Sequence, residues 1–204
     1  MPEMISKPTP EQPAAGPASL APTGLSETAT PQVGKTPRSG SWSRDLLGSL
    51  AISLFIILFL YQPVRVEGTS MLPHLKDQDR LFINKFVYHF ESIQRGDVVV
   101  FLYPHDHTKS YIKRVIALPG DNLRINHGAV YLNGHKLKEG YVPARFRDDR
   151  SLADITIPKG ECWVMGDHRN ISSDSRDFGP VPISLIYGKA AFVYWPVGQA
   201  GVVH

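Results

Sequence analysis

The sequence predicts a mostly β protein: an antiparallel β-sheet domain behind a single N-terminal transmembrane helix. Three observations lead there. Residues 46–61 (LLGSLAISLFIILFLY) carry no charge. Residues 1–44 hold 8 of the 17 prolines and a single aromatic, Trp42. Beyond residue 64, short β-branched and aromatic runs alternate with Gly, Pro and Asn turns, and no helical period is sustained. The 204 residues are therefore read as a disordered Pro-rich tail over 1–44, a membrane anchor over 45–64 and a β-rich domain over 65–204.

The tail is rich in Pro, Ala, Ser, Thr and Gly, and such a composition buries too little apolar surface to offset its conformational entropy. Its glutamates Glu3, Glu11 and Glu27 argue against an Arg-rich, acid-poor transit peptide. The uncharged run, extended through Gln62, Pro63 and Val64, would make roughly 24–28 Å of helix at about 1.5 Å per residue. Arg44 and Arg65 flank it and can snorkel to reach a core about 30 Å thick. The long segment ahead of the run and the lack of an A-x-A site argue against a cleaved leader. Lys35, Arg38 and Arg44 precede the run while Arg65 stands alone after it, which predicts a cytoplasmic tail and an exported domain.

Strands are expected over 80–90, 98–103, 111–118, 123–126, 129–132, 135–137, 155–157, 162–165 and 190–195. Asn133 and Gly134 form the favoured two-residue hairpin dipeptide. A net charge of +3 is too small to argue for nucleic acid. One cysteine excludes an internal disulfide or a Cys-rich zinc site, and Cys162 reads as a small buried hydrophobe. The sequence carries no signal for an oligomeric state.

Three segments hold candidate chemistry. Ser70 lies in GTSMLPHL, just past the anchor, and a serine is a poor nucleophile unless a base takes its proton. Its bland alternative is a turn serine ahead of Pro73. Lys113 lies in YIKRVIALPGD, where strand alternation puts it on one face with Tyr111 and Val115. Desolvation there would lower its pKa and make the neutral amine a competent base; otherwise it is an edge lysine that discourages aggregation. Arg114 should point the other way and act structurally. Residues 166–179 (GDHRNISSDSRDFG) look like a loop that bonds to itself, and the spacing of Asp167, His168, Asp174 and Asp177 fits no standard metal site. His105 and His107 leave a Ser-His-Asp triad open, since triad members need not be adjacent.

Four segments in this order resemble the bacterial type I signal peptidases: SMLPHL at 70–75, GDVVVF at 96–101, YIKRVIALPGD at 111–121 and GDHRNISSDSRDFG at 166–179. The resemblance covers roughly 46–195. It implies a serine endopeptidase of the cytoplasmic membrane with a Ser-Lys dyad and no metal or organic cofactor. Its substrates would be preprotein signal peptides with small residues at −1 and −3. Ser70 matches the nucleophile and Lys113 the base. Ser172 matches the serine that orients the amine, Asp174 and Arg176 a supporting pair, and Asp167 another structural acid. Val66, Met71, Leu75 and Ile112 are candidates to line the shallow substrate pockets, and Tyr111 to offer backbone bonds to a substrate strand. Gly68 stands where some members carry a hydroxyl. His74 replaces a commoner threonine, and His168, Asn170 and Ile171 replace the usual Asn, Asp and Asn.

Two other readings compete. One is a narrower processing peptidase of the same fold, of pilin or organellar type. The other is a non-enzymatic membrane-anchored binding domain. The self-cleaving SOS repressors share a Ser-Lys dyad but need a DNA-binding domain, for which the tail offers no helical pattern.

Overall fold

The computed structural model describes residues 41–204, and within them the side chains of all but Ser41 and residues 56–58. The tail expected over 1–44 lies outside this range up to residue 40. Helix α1 (Ser41–Leu60) begins four residues ahead of the expected tail boundary, because no Gly or Pro stands between Gly40 and Gly48 to stop it. It ends at Leu60, short of the expected 64, because residues 61–65 enter the sheet. Leu46, Leu47, Leu50, Ile52, Leu54, Phe55 and Phe59 all stand exposed on it. Among the described residues, no helix is long and apolar enough to cross a membrane.

In chain order there follow β1 (Tyr61–Arg65), β2 (Arg80–Asn84), the short helix α2 (Val87–Phe90), β3 (Val98–Tyr103) and β4 (Asp106–Ala117). Next come β5 (Asn122–Asn126), β6 (Ala129–Leu132), β7 (His135–Lys136), β8 (Leu152–Thr156) and β9 (Glu161–Met165). The chain closes with α3 (Ser175–Phe178), β10 (Val181–Pro182), β11 (Ile186–Trp195) and β12 (Gly201–Val202). The larger sheet runs β1-β2-β11-β3-β4-β9-β10 with β12 added beside β11, and the smaller runs β7-β6-β5-β8. Every pairing is antiparallel, as the sequence pattern suggested.

Several boundaries move for local reasons. The strand expected over 80–90 stops at Asn84, whose side-chain oxygen accepts from the Phe86 and Val87 N–H groups (3.0 and 3.1 Å) and turns the chain into α2. β4 starts five residues early as the return arm of a hairpin with β3, and β11 starts four residues early against β3. The β6–β7 turn does use Asn133 and Gly134, with φ of 50° and 82°, the left-handed pair such a hairpin requires. Pro63 is tolerated in β1 because that strand is a sheet edge, paired only with β2.

Two features of the packing position the site. Met71 and Leu75 anchor the β1–β2 connection in a core with Val66, Leu81, Ile83 and Val98. β4 pairs with β3 from Asp106 to Arg114 but with β9 only from Arg114 onward, so the backbone before Arg114 has one free edge. Cys162 is fully buried among Val99, Phe101 and Val164; burial, and then the nearby Glu161 charge, push its thiol up to about 12.

Candidate active site

Ser70 sits in a compact turn between β1 and β2. Gly68 enters that turn at φ +94°, a conformation that disfavours any side chain, and its N–H donates to Asp77 Oδ1 (2.8 Å). The Leu72 N–H then donates to the Thr69 carbonyl (3.2 Å), and the His74 and Leu75 N–H groups to that of Met71 (both 3.0 Å). With Met71 and Leu75 held in the core, half-buried Ser70 faces β4.

Lys113, from β4, is 5% exposed. Its Nζ lies 2.7 Å from Ser70 Oγ and 3.1 Å from the Ile112 carbonyl, and 5.3 Å from the centre of the Tyr111 ring. Among the described residues, no carboxylate touches it. Burial therefore dominates and lowers its pKa to about 8, against the opposing pull of the Asp174 and Asp167 charges and with a smaller push from Arg176. The arrangement is a hydroxyl in contact with an amine that gives up its proton near physiological pH.

A cavity of about 450 Å³ opens beside the pair. Its walls include Val64, Val66, Gly68 and Thr69 on one side and Ser110, Tyr111 and Ile112 from the free edge of β4 on the other. Of the residues proposed to contact substrate, Val66, Tyr111 and Ile112 line this cavity. Met71 and Leu75 do not: both are 1% exposed and belong to the core beneath Ser70 rather than to the cavity wall. The opposite rim comes from Ile171, Ser173 and Tyr187, which sequence reasoning missed.

The 166–179 segment closes the back of the site. Asp174 caps α3, accepting from the Arg176 N–H (3.2 Å), while Asp177 reaches back to the Asp174 N–H (3.2 Å). The same Asp174 carboxylate takes the Gly166 N–H (3.0 Å) and two bonds from the Arg176 guanidinium (both 2.8 Å). Asp167 is held by a forked pair of bonds from Arg114 (2.8 and 2.7 Å) and lies 3.1 Å from His74 Nδ1. Burial would raise the Asp167 pKa, but the bonds from Arg114 and His74 outweigh it and the net shift is downward. Asp167, Asp174 and Arg176 are thus brought close to the pair without touching Lys113.

Ser172 departs from expectation. Its hydroxyl is buried, and among the described residues it has no hydrogen-bond partner, so the expected bond to the Lys113 amine is absent. The cause is the turn that carries it. The Ile171 and Ser172 N–H groups both donate to the His168 carbonyl (3.3 and 3.1 Å), which lays the hydroxyl against Gly166. A Cβ on Gly166 would meet Ser172 Oγ at 2.2 Å and the Ser70 carbonyl oxygen at 2.5 Å, so only glycine fits there.

The smaller sheet buttresses this loop. Arg169 pairs with Glu139, Arg176 with Asp148, and Arg150 with Asp177 (2.7 Å). Arg114 and Arg169 both lie against the Tyr141 ring. Glu139 and Asp148 carry no local sequence signal, since they meet their partners only through the docking of one sheet on a loop of the other. Gly166, His168 and Arg169 were legible only as members of the 166–179 box.

Comparison with known proteins resolves the class. A family model described as signal peptidase, peptidase S26, matches residues 39–195. The chain belongs to that family. It is 38% identical over 165 residues to a protein named probable signal peptidase I-1 of Synechocystis sp., covering 76% of this chain and 82% of that one. It is 36% identical over 165 residues to a signal peptidase I of Bacillus amyloliquefaciens, covering 76% of this chain and 84% of that one. With a signal peptidase I of Bacillus caldolyticus the identity is 39% over 155 residues, 70% of this chain and 84% of that one. The family is one of serine hydrolases, and the chain is a hydrolase of the type I signal peptidase class.

Proposed function

We propose that this protein is a membrane-bound serine endopeptidase that removes N-terminal signal peptides from exported preproteins, cutting after small residues at −1 and −3. The observation that carries the reading is the 2.7 Å contact between Ser70 Oγ and a buried Lys113 amine whose pKa lies near 8, at the floor of an open cavity.

The neutral Lys113 amine takes the Ser70 proton as Oγ attacks the carbonyl carbon of the −1 residue. The Ser70 N–H, which has no acceptor among the described residues, is available to the oxyanion. The lysine ammonium then protonates the leaving amine of the mature protein. In the second half the amine draws a proton from water, whose oxygen attacks the acyl-serine ester. The signal peptide leaves as a carboxylate, and Ser70 regains its proton. A substrate strand adds to the free edge of β4 at Ser110–Lys113, and Val66 and Ile112 crowd the positions where its small side chains point.

The uncovered apolar side chains of α1 support an anchor just ahead of this site. Residues 46–60 span about 22 Å at 1.5 Å per residue, so a bilayer would have to thin locally or Arg44 and Arg65 snorkel to its surfaces. The basic bias ahead of the apolar run supports a cytoplasmic tail over residues 1–44 and a domain over 65–204 on the exported side of a bacterial cytoplasmic membrane. Protease added outside intact spheroplasts should reach the domain and spare the tail; digestion of the tail alone rejects this topology.

The decisive experiment is cleavage of a model preprotein in detergent by wild type and by Ser70→Ala. Loss of such a nucleophile costs on the order of 10⁶ in kcat. A folded Ser70→Ala enzyme that retains a tenth of wild-type activity sinks the reading.

A further inference from the structure

The two peptide units that flank Ser70 are both held by one residue, His168. Its backbone N–H donates to the Ser70 carbonyl (3.0 Å), and its ring Nδ1 lies 3.2 Å from the Thr69 carbonyl. A carbonyl oxygen only accepts, so this contact is a hydrogen bond when Nδ1 carries the proton. The ring itself is seated on Phe146, with 4.0 Å between ring centres, and the Asn170 N–H ties the loop to the Phe146 carbonyl (3.3 Å).

The Thr69 carbonyl and the Ser70 N–H belong to the same peptide unit. That unit is planar and trans, so its oxygen and its hydrogen point in opposite directions. Fixing the oxygen on His168 fixes the N–H on the far side. With the Ser70 carbonyl fixed as well, both backbone dihedrals at Ser70 are set, and with Oγ held by Lys113 Nζ (2.7 Å) the hydroxyl and the N–H keep a constant relation. An oxyanion donor is effective only when it needs no reorganisation at the moment of reaction.

We propose that His168 is a positioning residue: its Nδ1–H pins the Thr69–Ser70 peptide so that the Ser70 N–H is aimed at the developing oxyanion. The proposal rests on the reading of Ser70 as the nucleophile. It gives this chain a way to orient that donor although Gly68 supplies no hydroxyl. The Leu72 N–H also donates to the Thr69 carbonyl (3.2 Å), so loss of the imidazole leaves the turn intact while freeing the peptide to rock.

The test uses the full-length enzyme with His168→Phe, His168→Ala and His168→Asn. Phenylalanine keeps a ring on Phe146 but has no donor; asparagine offers a shorter amide donor. Three quantities are measured: kcat and KM on one preprotein, affinity for an uncleavable substrate peptide, and affinity for a peptide aldehyde that forms an oxyanion on the serine. His168→Phe should lower kcat by about tenfold or more, less than the 10²–10³ of losing an oxyanion donor outright. KM and peptide affinity should stay within about twofold, aldehyde affinity should fall in step with kcat, and His168→Asn should recover most of the loss. A His168→Phe enzyme at the wild-type rate overturns the proposal. So does a loss confined to KM, or a His168→Asn variant as slow as His168→Ala. Failure of the nucleophile reading would look different, as a Ser70→Ala enzyme that still cleaves.

Discussion

Lys113 and Arg114 are adjacent cations on β4, both almost fully buried, and they are treated in opposite ways. Arg114 is saturated. Its guanidinium makes the fork to Asp167, gives further bonds to the Gly96 and His204 carbonyls (both 2.9 Å) and lies 4.5 Å over the Tyr141 ring. Among the described residues, Lys113 meets one hydroxyl and one carbonyl and no anion. The first arrangement compensates a buried charge; the second leaves the charged form destabilised. Alternation along one strand thus separates a compensated cation from an uncompensated one, and the difference lies in the partners rather than in depth.

The largest effects should come from erasing that difference at position 113. Lys113→Ala removes the base. Lys113→Arg keeps a cation, but a guanidinium stays protonated throughout the working pH range. Both should be inactive to within the background of the Ser70→Ala enzyme. A His-based triad predicts an active Lys113→Arg, with activity lost instead at one of His74, His105, His107 or His168. In the wild type, cleavage should rise with pH through a single ionisation near 8, because the deprotonated amine is the reactive form. A rate that is flat from pH 6 to 10 contradicts the assignment.

Breaking the saturated cation should cost stability rather than chemistry. Arg114→Met leaves the buried Asp167 carboxylate with the His74 ring as its remaining side-chain contact among the described residues. Removing one partner of a buried pair typically destabilises by about 3–5 kcal/mol. Urea unfolding of the full-length protein in detergent should show a loss in that range. A loss below about 1 kcal/mol would mean that the pair is not the anchor of the 166–173 loop that its geometry suggests.

How far this contrast was readable from sequence depends on the range of the interactions. The hairpin at Asn133–Gly134 follows from local turn chemistry and the second half of β4 from strand alternation, whereas its first five residues were missed and the pairing of Ser70 with Lys113 was only what the resemblance implied. The α2 turn was missed because a single Asn84 side chain overrode a run of aromatic residues with strong strand preference. Met71 and Leu75 were assigned to the cavity because sequence proximity to a nucleophile does not say which face of a turn a side chain takes. Ser172 was expected on the amine because its position in the box matched, but the His168–Ser172 turn aims its hydroxyl at Gly166. Glu139 and Asp148 lay beyond reach, since only the packing of the smaller sheet brings them to Arg169 and Arg176.

The smallest effect is also the most telling about Lys113, because it runs against ordinary expectation for a conserved-volume change. The amine ionises near 8 when folded and near 10.5 when exposed. Below pH 8 both the folded and the unfolded chain carry the proton, and the folded state bears the full penalty of the buried charge. At 1.36 kcal/mol per pKa unit that penalty is on the order of 3 kcal/mol. Between about 8 and 10.5 the unfolded chain binds more protons than the folded one, so wild-type stability rises with pH across that window. Lys113→Met fills similar space without a charge. At pH 7 it should be inactive yet more stable than the wild type by about 1–2 kcal/mol, the loss of the bonds to Ser70 and Ile112 taking back part of the gain. The advantage should shrink toward zero or reverse as pH approaches 10.5. Denaturant titrations of both proteins at pH 7 and pH 10 measure this directly. A Lys113→Met protein that is less stable at pH 7, or a stability gap that does not narrow with pH, would show that the amine is not held against its own charge.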